Sequence, residues 1–186
     1  GRVSRLHPTT FTDQMMIYSL MRDDQGSIWV GTSQGAYELI KDHDSLRVKS
    51  WPLPGNTPFQ AIGQIYRDKA GELWFCSEDS GLARWDGHNM RIYTTDNGLS
   101  NNIVYSILEP DSVSLWICTS GGIDVVNRKN ETWTHWDGHS GFFPKGSTPY
   151  SVMQSSDSLY WFSTSRGLVR TDFREPFADG NSIPVF

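Results

Sequence analysis

Four tryptophans recur along the chain at intervals of 42 to 45 residues, and each begins a similar short pattern. A small residue with a hydroxyl group follows each tryptophan by three positions, and a glycine comes shortly after it. The repeated tryptophans are Trp29, Trp74, Trp116 and Trp161, and the repeated glycines are Gly35, Gly81, Gly122 and Gly167. This regular interval predicts four copies of one structural unit.

Each copy has the pattern of short β-strands. Val104, Ser106 and Leu108 alternate with Tyr105 and Ile107, which is the period-two pattern of a strand rather than the period of a helix. Asp and Gly in Asp23–Gly26 and Asp68–Gly71 predict tight turns between the first two strands of the first two copies. Four such strands in this interval are typical of a β-propeller blade.

The sequence therefore predicts an all-β chain of four blades, each a four-stranded antiparallel sheet. We expect one domain over residues 1–186, with blades at about 8–51, 52–93, 94–136 and 137–186. Residues 2–7 are expected to form an orphan outer strand, and Ile183–Phe186 is a weak candidate for the last blade's fourth strand. Two arrangements stay open: a small closed ring, or part of a larger ring. In either, the four repeated tryptophans are expected to be buried between blades.

Composition excludes two classes of partner. The net charge of −5 and the lack of a basic cluster argue against nucleic-acid binding. No apolar run approaches the roughly 20 residues that span a bilayer, so no membrane segment is expected in this chain.

Several motifs suggest chemistry but fit structural roles better. Gly31–Gly35 matches the G-x-S-x-G pattern of hydrolases, yet another strand follows it where that motif needs a helix. His135 and His139 have a zinc-like spacing without a nearby cysteine pair. Cys76 and Cys118 stand at equivalent positions of adjacent blades, two residues after the repeated tryptophan, and are expected to be buried free thiols. We expect no catalytic residue, no metal site and no cofactor.

The repeats resemble the two-component regulator propeller family. Ile17–Tyr37 follows that family's blade pattern closely, and Tyr93–Asn102 resembles its linker between blades. The resemblance extends from Leu6 to about Arg170. The chain departs from the pattern where the third and fourth copies lose the turn glycine, and where Cys or Ser replaces the counterpart of Gly31.

The resemblance implies a periplasmic or extracytoplasmic sensor module of a membrane-anchored bacterial signalling protein, such as a hybrid histidine kinase. Such propellers usually have seven blades, and their ligands are commonly glycan fragments. We therefore expect a non-catalytic module that binds an oligosaccharide or another small molecule and packs against other blades or a second copy of the chain. A propeller lyase or hydrolase and a protein-interaction platform are the alternatives.

Propeller topology places the loops between strands two and three, and between blades, on one face. Aromatic side chains beside polar ones suit sugar rings, although each of these residues also fits an ordinary solvated loop. The candidate ligand-binding residues on that face are Phe11, Gln34, Phe59, Glu78, Asp79, Asn101, Phe142 and Arg166.

Overall fold

The computed structural model describes residues 11–12, 14–42, 45–51, 59–137, 148–155 and 159–171. Within these ranges the chain forms fifteen strands and no helix, which confirms the all-β prediction. Blade 1 contains β1 (Ile17–Arg22), β2 (Ile28–Thr32), β3 (Gly35–Asp42) and β4 (Ser45–Trp51). Blade 2 contains β5 (Ile62–Arg67), β6 (Leu73–Ser77), β7 (Leu82–Trp85) and β8 (Met90–Tyr93).

Blades 3 and 4 continue the same order. Blade 3 contains β9 (Val104–Leu108), β10 (Ser114–Thr119), β11 (Gly122–Asn127) and β12 (Thr132–Trp136). Blade 4 contains β13 (Pro149–Gln154), β14 (Tyr160–Thr164) and β15 (Gly167–Thr171). Each sheet pairs its strands antiparallel in chain order. The expected strands at 2–7 and 183–186 lie outside the described residues, and the proposed blade boundaries stay predictions.

The turn between the first two strands also fixes the tryptophan that follows it. In blade 2, Asp68 accepts hydrogen bonds from the backbone N–H groups of Ala70 and Glu72 through Oδ1. Its Oδ2 accepts a hydrogen bond of 2.8 Å from Nε1 of Trp74. Asp23 binds Trp29 in the same way at 2.9 Å. The Asp of the turn therefore serves two purposes, because it closes the hairpin and satisfies the indole N–H that the core would otherwise bury unpaired.

Neighbouring sheets approach one another through their first strands: β1 lies beside β5, β5 beside β9, and β9 beside β13. We call these four the inner strands, because first strands gather on one side in a propeller. We call the face of each blade that carries its repeated tryptophan the rear face. The rear face of each of the first three blades packs against the next blade.

Three tryptophans are buried at these junctions, with exposed fractions of 3% for Trp29, 2% for Trp74 and 6% for Trp116. Trp161 differs, because it is only partly buried. Its neighbour Phe162 faces blade 3 and is fully buried, so alternation turns Trp161 towards the opposite side. No sheet among the described residues covers that side. The expectation that all four tryptophans are buried between sheets is therefore wrong for Trp161.

Cys76 and Cys118 are free and fully buried, as predicted. Burial raises the pKa of both thiols, that of Cys118 to about 12. Both are therefore protonated at neutral pH and lack the thiolate that reacts.

The junction between blades 2 and 3 contains buried ion pairs. Arg128 of blade 3 donates hydrogen bonds of 2.9 Å to Asp68 and 2.8 Å to Glu109, and both carboxylates are almost fully buried. At the junction between blades 1 and 2, Arg67 pairs with Asp24 at 3.5 Å, and the Asp24 side chain is 90% exposed. The two junctions share apolar packing but differ in their electrostatic contacts.

Candidate ligand-binding face

One face of the described blades is built by the loops between the second and third strands. In every blade this loop folds onto the start of its own inner strand through one backbone hydrogen bond of 2.9 to 3.0 Å. The N–H donors are Ser33, Glu78, Ser120 and Ser165, and the carbonyl acceptors are Met16, Ala61, Ile103 and Thr148. We call this surface the loop face.

The hydroxyl residue three positions after each tryptophan holds this loop closed. Thr32 donates to the carbonyl oxygen of Gly35 and accepts from the backbone N–H of Gln34. Thr119 and Thr164 make equivalent bonds in blades 3 and 4. The repeated hydroxyl is therefore a turn residue. Because the G-x-S-x-G segment lies in this hairpin between β2 and β3, it also lacks the helix that a hydrolase nucleophile needs.

Each inner strand has a β-bulge directly below the loop face. Strand pairing skips one residue at the same column of every blade, and the skipped residues are Tyr18, Gly63, Tyr105 and Tyr150. A bulge interrupts the ladder and redirects the side chain of the unpaired residue. Tyr18 and Tyr150 are 41% and 44% exposed, and they lie on β1 and β13, strands that also expose Ile17, Leu20 and Met153.

Two of these tyrosines form an aromatic corner. The rings of Tyr105 and Tyr150 lie edge to face, with centroids 5.0 Å apart and an angle of 80° between their planes. No hydrogen bond to the hydroxyl of Tyr18, Tyr105 or Tyr150 occurs among the described residues. The three hydroxyls are therefore available to a ligand, as are the parts of the rings that the edge-to-face pair leaves exposed.

In blade 2, glycine takes the place of the tyrosine, and a carboxylate from the loop face occupies the space. A Cβ atom added to Gly63 would lie 3.2 Å from Oε1 of Glu78. Glu78 is exposed and has no hydrogen bond or ion pair to its side chain within the described ranges. We call Tyr18, Tyr105, Tyr150 and Glu78 the tyrosine mouth.

The other predicted residues have varied environments. Gln34 and Arg166 are exposed in loops of the loop face. Asp79 is exposed there too, but its Oδ1 accepts hydrogen bonds from the hydroxyls of Ser77 and Ser80 and so stabilises the turn. Asn101 is partly buried, and its side-chain oxygen accepts a bond from the backbone N–H of Ile103.

The three predicted phenylalanines are less available. Phe59 is only 6% exposed and packs in the same core cluster as Trp29, so it cannot stack on a ligand in this conformation. Phe11 packs edge-on against Tyr37 with ring centroids 5.3 Å apart. Phe142 lies outside the described residues. Contact between any predicted residue and a ligand stays a prediction.

A buried carboxylate beside a histidine lies between β11 and β12. Asp124 accepts bonds from the backbone N–H and hydroxyl of Ser100 at 2.9 and 3.1 Å, and its Oδ1 lies 2.9 Å from Nδ1 of His135. Burial raises the pKa of the Asp124 carboxyl, and these hydrogen bonds partly offset that effect. The carboxylate lies between the serine and the histidine, so His135 cannot activate Ser100 as in a catalytic triad. The cluster instead holds the linker between blades 2 and 3.

A cavity of about 160 Å³ opens between the outer strands of blades 2 and 3. Its three arginines each face a carboxylate: Arg84 pairs with Glu72, Arg91 with Glu131, and Arg128 with Asp68. Its charges are therefore satisfied within the protein.

Among the described residues, no group of three or more His, Cys, Asp or Glu side chains could hold a metal ion. None of the described residues forms a helix able to cross a membrane.

Solved structures share this arrangement of blades. The extracellular domain of the putative hybrid two component system BT3049 from B. thetaiotaomicron matches 98% of this chain and 26% of its own, with a TM-score of 0.75 and 18% identity. Virginiamycin B lyase from Staphylococcus aureus, solved with quinupristin, matches 86% of this chain and 54% of its own, with a TM-score of 0.66 and 18% identity. This chain thus spans about a quarter of the extracellular domain that it resembles. At these identities the similarity establishes the fold.

Sequence comparison adds a more specific match. No curated protein matches the chain significantly. Residues 11–34 match the two component regulator propeller family. They include the whole hairpin of β1 and β2 with Asp23 and Trp29, which lies in the segment where the family pattern is closest. The resemblance found in the sequence is therefore confirmed, and residues 11–34 carry the two-component regulator propeller repeat.

Proposed function

We propose that this chain is a non-catalytic, ligand-binding part of an extracytoplasmic sensor propeller in a bacterial signalling protein. The observation that carries the proposal is the match of residues 11–34 to the two component regulator propeller family in a chain of propeller blades. The fold of an extracellular domain from a putative hybrid two component system supports it. The open loop face, with unpaired polar groups beside aromatic rings, gives such a module a place to bind.

The proposed ligand is a glycan fragment or a similar small molecule. Tyrosine rings can pack on the apolar side of a sugar ring, while tyrosine hydroxyls and the exposed side chains of Gln34 and Arg166 can pair with sugar hydroxyls. A ligand can shift a signalling equilibrium only if it binds two states unequally. The loops suit that role, because each is bonded to an inner strand and a change in the loop reaches the sheet.

The test is a thermal-shift screen of glycans and small molecules against the 186-residue chain, with mass spectrometry of every mixture. We expect a saturable shift for at least one ligand without a new product. An Arg166→Ala variant should weaken this response. The matched control is Arg47→Ala, since Arg47 is an exposed arginine on the outer strand β4.

Other outcomes separate the alternatives. Formation of a product would replace the sensor proposal with a lyase or hydrolase. A lyase is the first enzyme class to consider, because virginiamycin B lyase shares this fold. No response to any ligand would contradict the proposal and favour a protein-interaction platform.

A further inference from the structure

The tyrosine mouth combines electron-rich aromatic faces with one free carboxylate. The geometry points to this mouth as a binding site for an ammonium group, carried by a small organic molecule or by an amino sugar. The inference rests on the proposed ligand-binding function and adds the charge and chemical class of the group that is recognised.

The aromatic part of the site comes from the bulges of the inner strands. The edge-to-face pair of Tyr105 and Tyr150 forms two walls of a corner, and the exposed Tyr18 lies on the far side of β5. A cation near a tyrosine ring is attracted by the negative face of the ring, and an ammonium group is a common partner of such aromatic walls. The strand ladder is interrupted at these three residues, and a bulge redirects the side chain of the unpaired residue.

The Glu78 carboxylate lies beside Gly63, the one bulge position of the four inner strands that has no aromatic ring. Glu78 reaches the space above Gly63, on the strand between those of Tyr18 and Tyr105. A tyrosine at position 63 would fill that space, so the glycine gives the carboxylate room. The order along the four inner strands is therefore aromatic, acidic, aromatic, aromatic, so a ligand long enough to reach neighbouring strands meets both a carboxylate and aromatic rings.

Glu78 also differs from every other described glutamate. Glu38, Glu72, Glu109 and Glu131 each accept a hydrogen bond from an arginine or a tryptophan. Glu78 has no such partner within the described ranges, although it is exposed beside a second acidic residue, Asp79. Arg166 is the basic residue of the loop face, and it lies in blade 4, two blades from Glu78. The potential near Glu78 is therefore negative and favours a cation.

The probes are a tetrasaccharide of glucosamine, at a pH at which its amines are protonated, and its fully N-acetylated form. The two share the sugar chain and differ in charge and in their acetyl groups, so isothermal titration calorimetry with each, together with competition by a cation that has no sugar, separates ammonium recognition from general sugar binding. We expect the amine form to bind about tenfold or more tightly than the acetylated form, because a hydrogen bond to a charged group is worth about 1.5–3 kcal/mol. Tetramethylammonium should compete with it.

Matched variants locate the site. Glu78→Gln preserves shape and removes charge, and it should weaken binding of the amine form about tenfold. Asp24→Asn removes an exposed carboxylate from the opposite end of the blades and should leave binding unchanged. Tyr105→Phe should retain binding and Tyr105→Leu should lose most of it, because the ring rather than the hydroxyl attracts the cation.

Failure to bind the amine form would overturn the inference. Equal binding of the two tetrasaccharides, or full binding by Glu78→Gln, would overturn it as well. None of these three results would affect the proposed sensor function if another ligand still gave a saturable response. The sensor proposal fails if no ligand of any class binds, or if a ligand is converted to a product.

Discussion

The rear faces of blades 3 and 4 carry the same tryptophan in the same column, yet only one of these tryptophans is enclosed. Trp116 is 6% exposed and contacts the rings of Tyr160 and Phe162 in blade 4. Trp161 is partly buried, and its ring has the guanidinium of Arg170 at 5.8 Å. The difference shows that the next sheet buries the tryptophan, whereas the hairpin only positions it. The same side chain should therefore have very different energetic effects at the two sites.

The largest effect is expected for Trp116→Ala, which should lower the free energy of unfolding by about 3–5 kcal/mol. The loss combines the transfer free energy of the indole ring with the cavity left against Tyr160 and Phe162. Urea unfolding followed by circular dichroism measures it. A loss below about 1 kcal/mol would mean that blade 4 does not enclose this ring. Trp116 and Trp161 would then not differ in how far the next sheet buries them.

Arg128→Met comes next, with an expected loss of about 3 kcal/mol, at the lower end for a broken buried ion pair because Asp68 and Glu109 keep other hydrogen bonds. It would leave the buried carboxylates of Asp68 and Glu109 without their cation, and an unpaired buried charge is strongly destabilising. The control is Arg67→Met, whose partner Asp24 is exposed, so its loss should stay below about 1 kcal/mol. Equal losses in urea unfolding would show that the two junctions are not electrostatically different.

A smaller effect is expected from Asp124, whose pKa is raised mainly by burial. A carboxyl with a raised pKa in the folded state stabilises the fold most at pH values below its ordinary pKa, and this contribution is lost as the pH rises through the raised pKa. The stability of the native chain relative to Asp124→Asn should therefore fall with increasing pH across that range. Urea unfolding at several pH values measures the difference. A relative stability that rises with pH would show that the bonds from Ser100 and His135 outweigh burial.

The smallest effect is expected for Trp161→Ala, which should cost less than about 1–2 kcal/mol. Its cation–π contact with Arg170 is worth about 0.5–1 kcal/mol at an exposed site, and little apolar packing is lost. A loss as large as that of Trp116→Ala in the same unfolding assay would mean that another surface covers the rear face of blade 4.

Much of the fold could be predicted because the same sequence pattern occurs in four copies. The interval between tryptophans, the turn at Asp68 and the period-two pattern each reflect local backbone rules that hold in every copy. The burial of Trp161 could not be predicted in this way, because it depends on a neighbouring sheet that the repeat does not specify. Phe59 was likewise expected in a ligand-binding loop, whereas the structure places it in the core beside Trp29.

The site was harder to predict than the fold. Glu78 and Arg166 follow from topology, since the loop between the second and third strands always lies on one face. The tyrosine mouth depends on bulges, and period-two alternation assigns every strand residue to a regular ladder. The available signal was the tyrosine that recurs at positions 18, 105 and 150, one residue before a serine, with glycine at 63. The contact between Gly63 on β5 and Glu78 in the loop after β6 depends on how the loop folds over the strand, which the sequence pattern does not specify.

Ala61 connects the loop faces of blades 1 and 2 through backbone hydrogen bonds. Its N–H donates to the carbonyl oxygen of Ser33 in blade 1, and its own carbonyl accepts from the N–H of Glu78 in blade 2. Its φ of 49° lies in the left-handed region, which alanine adopts only when its surroundings hold it there. A force applied at Glu78 therefore passes through one strained peptide into the adjacent blade. The loops of these two blades are thus coupled across the loop face by a route that does not run along a strand.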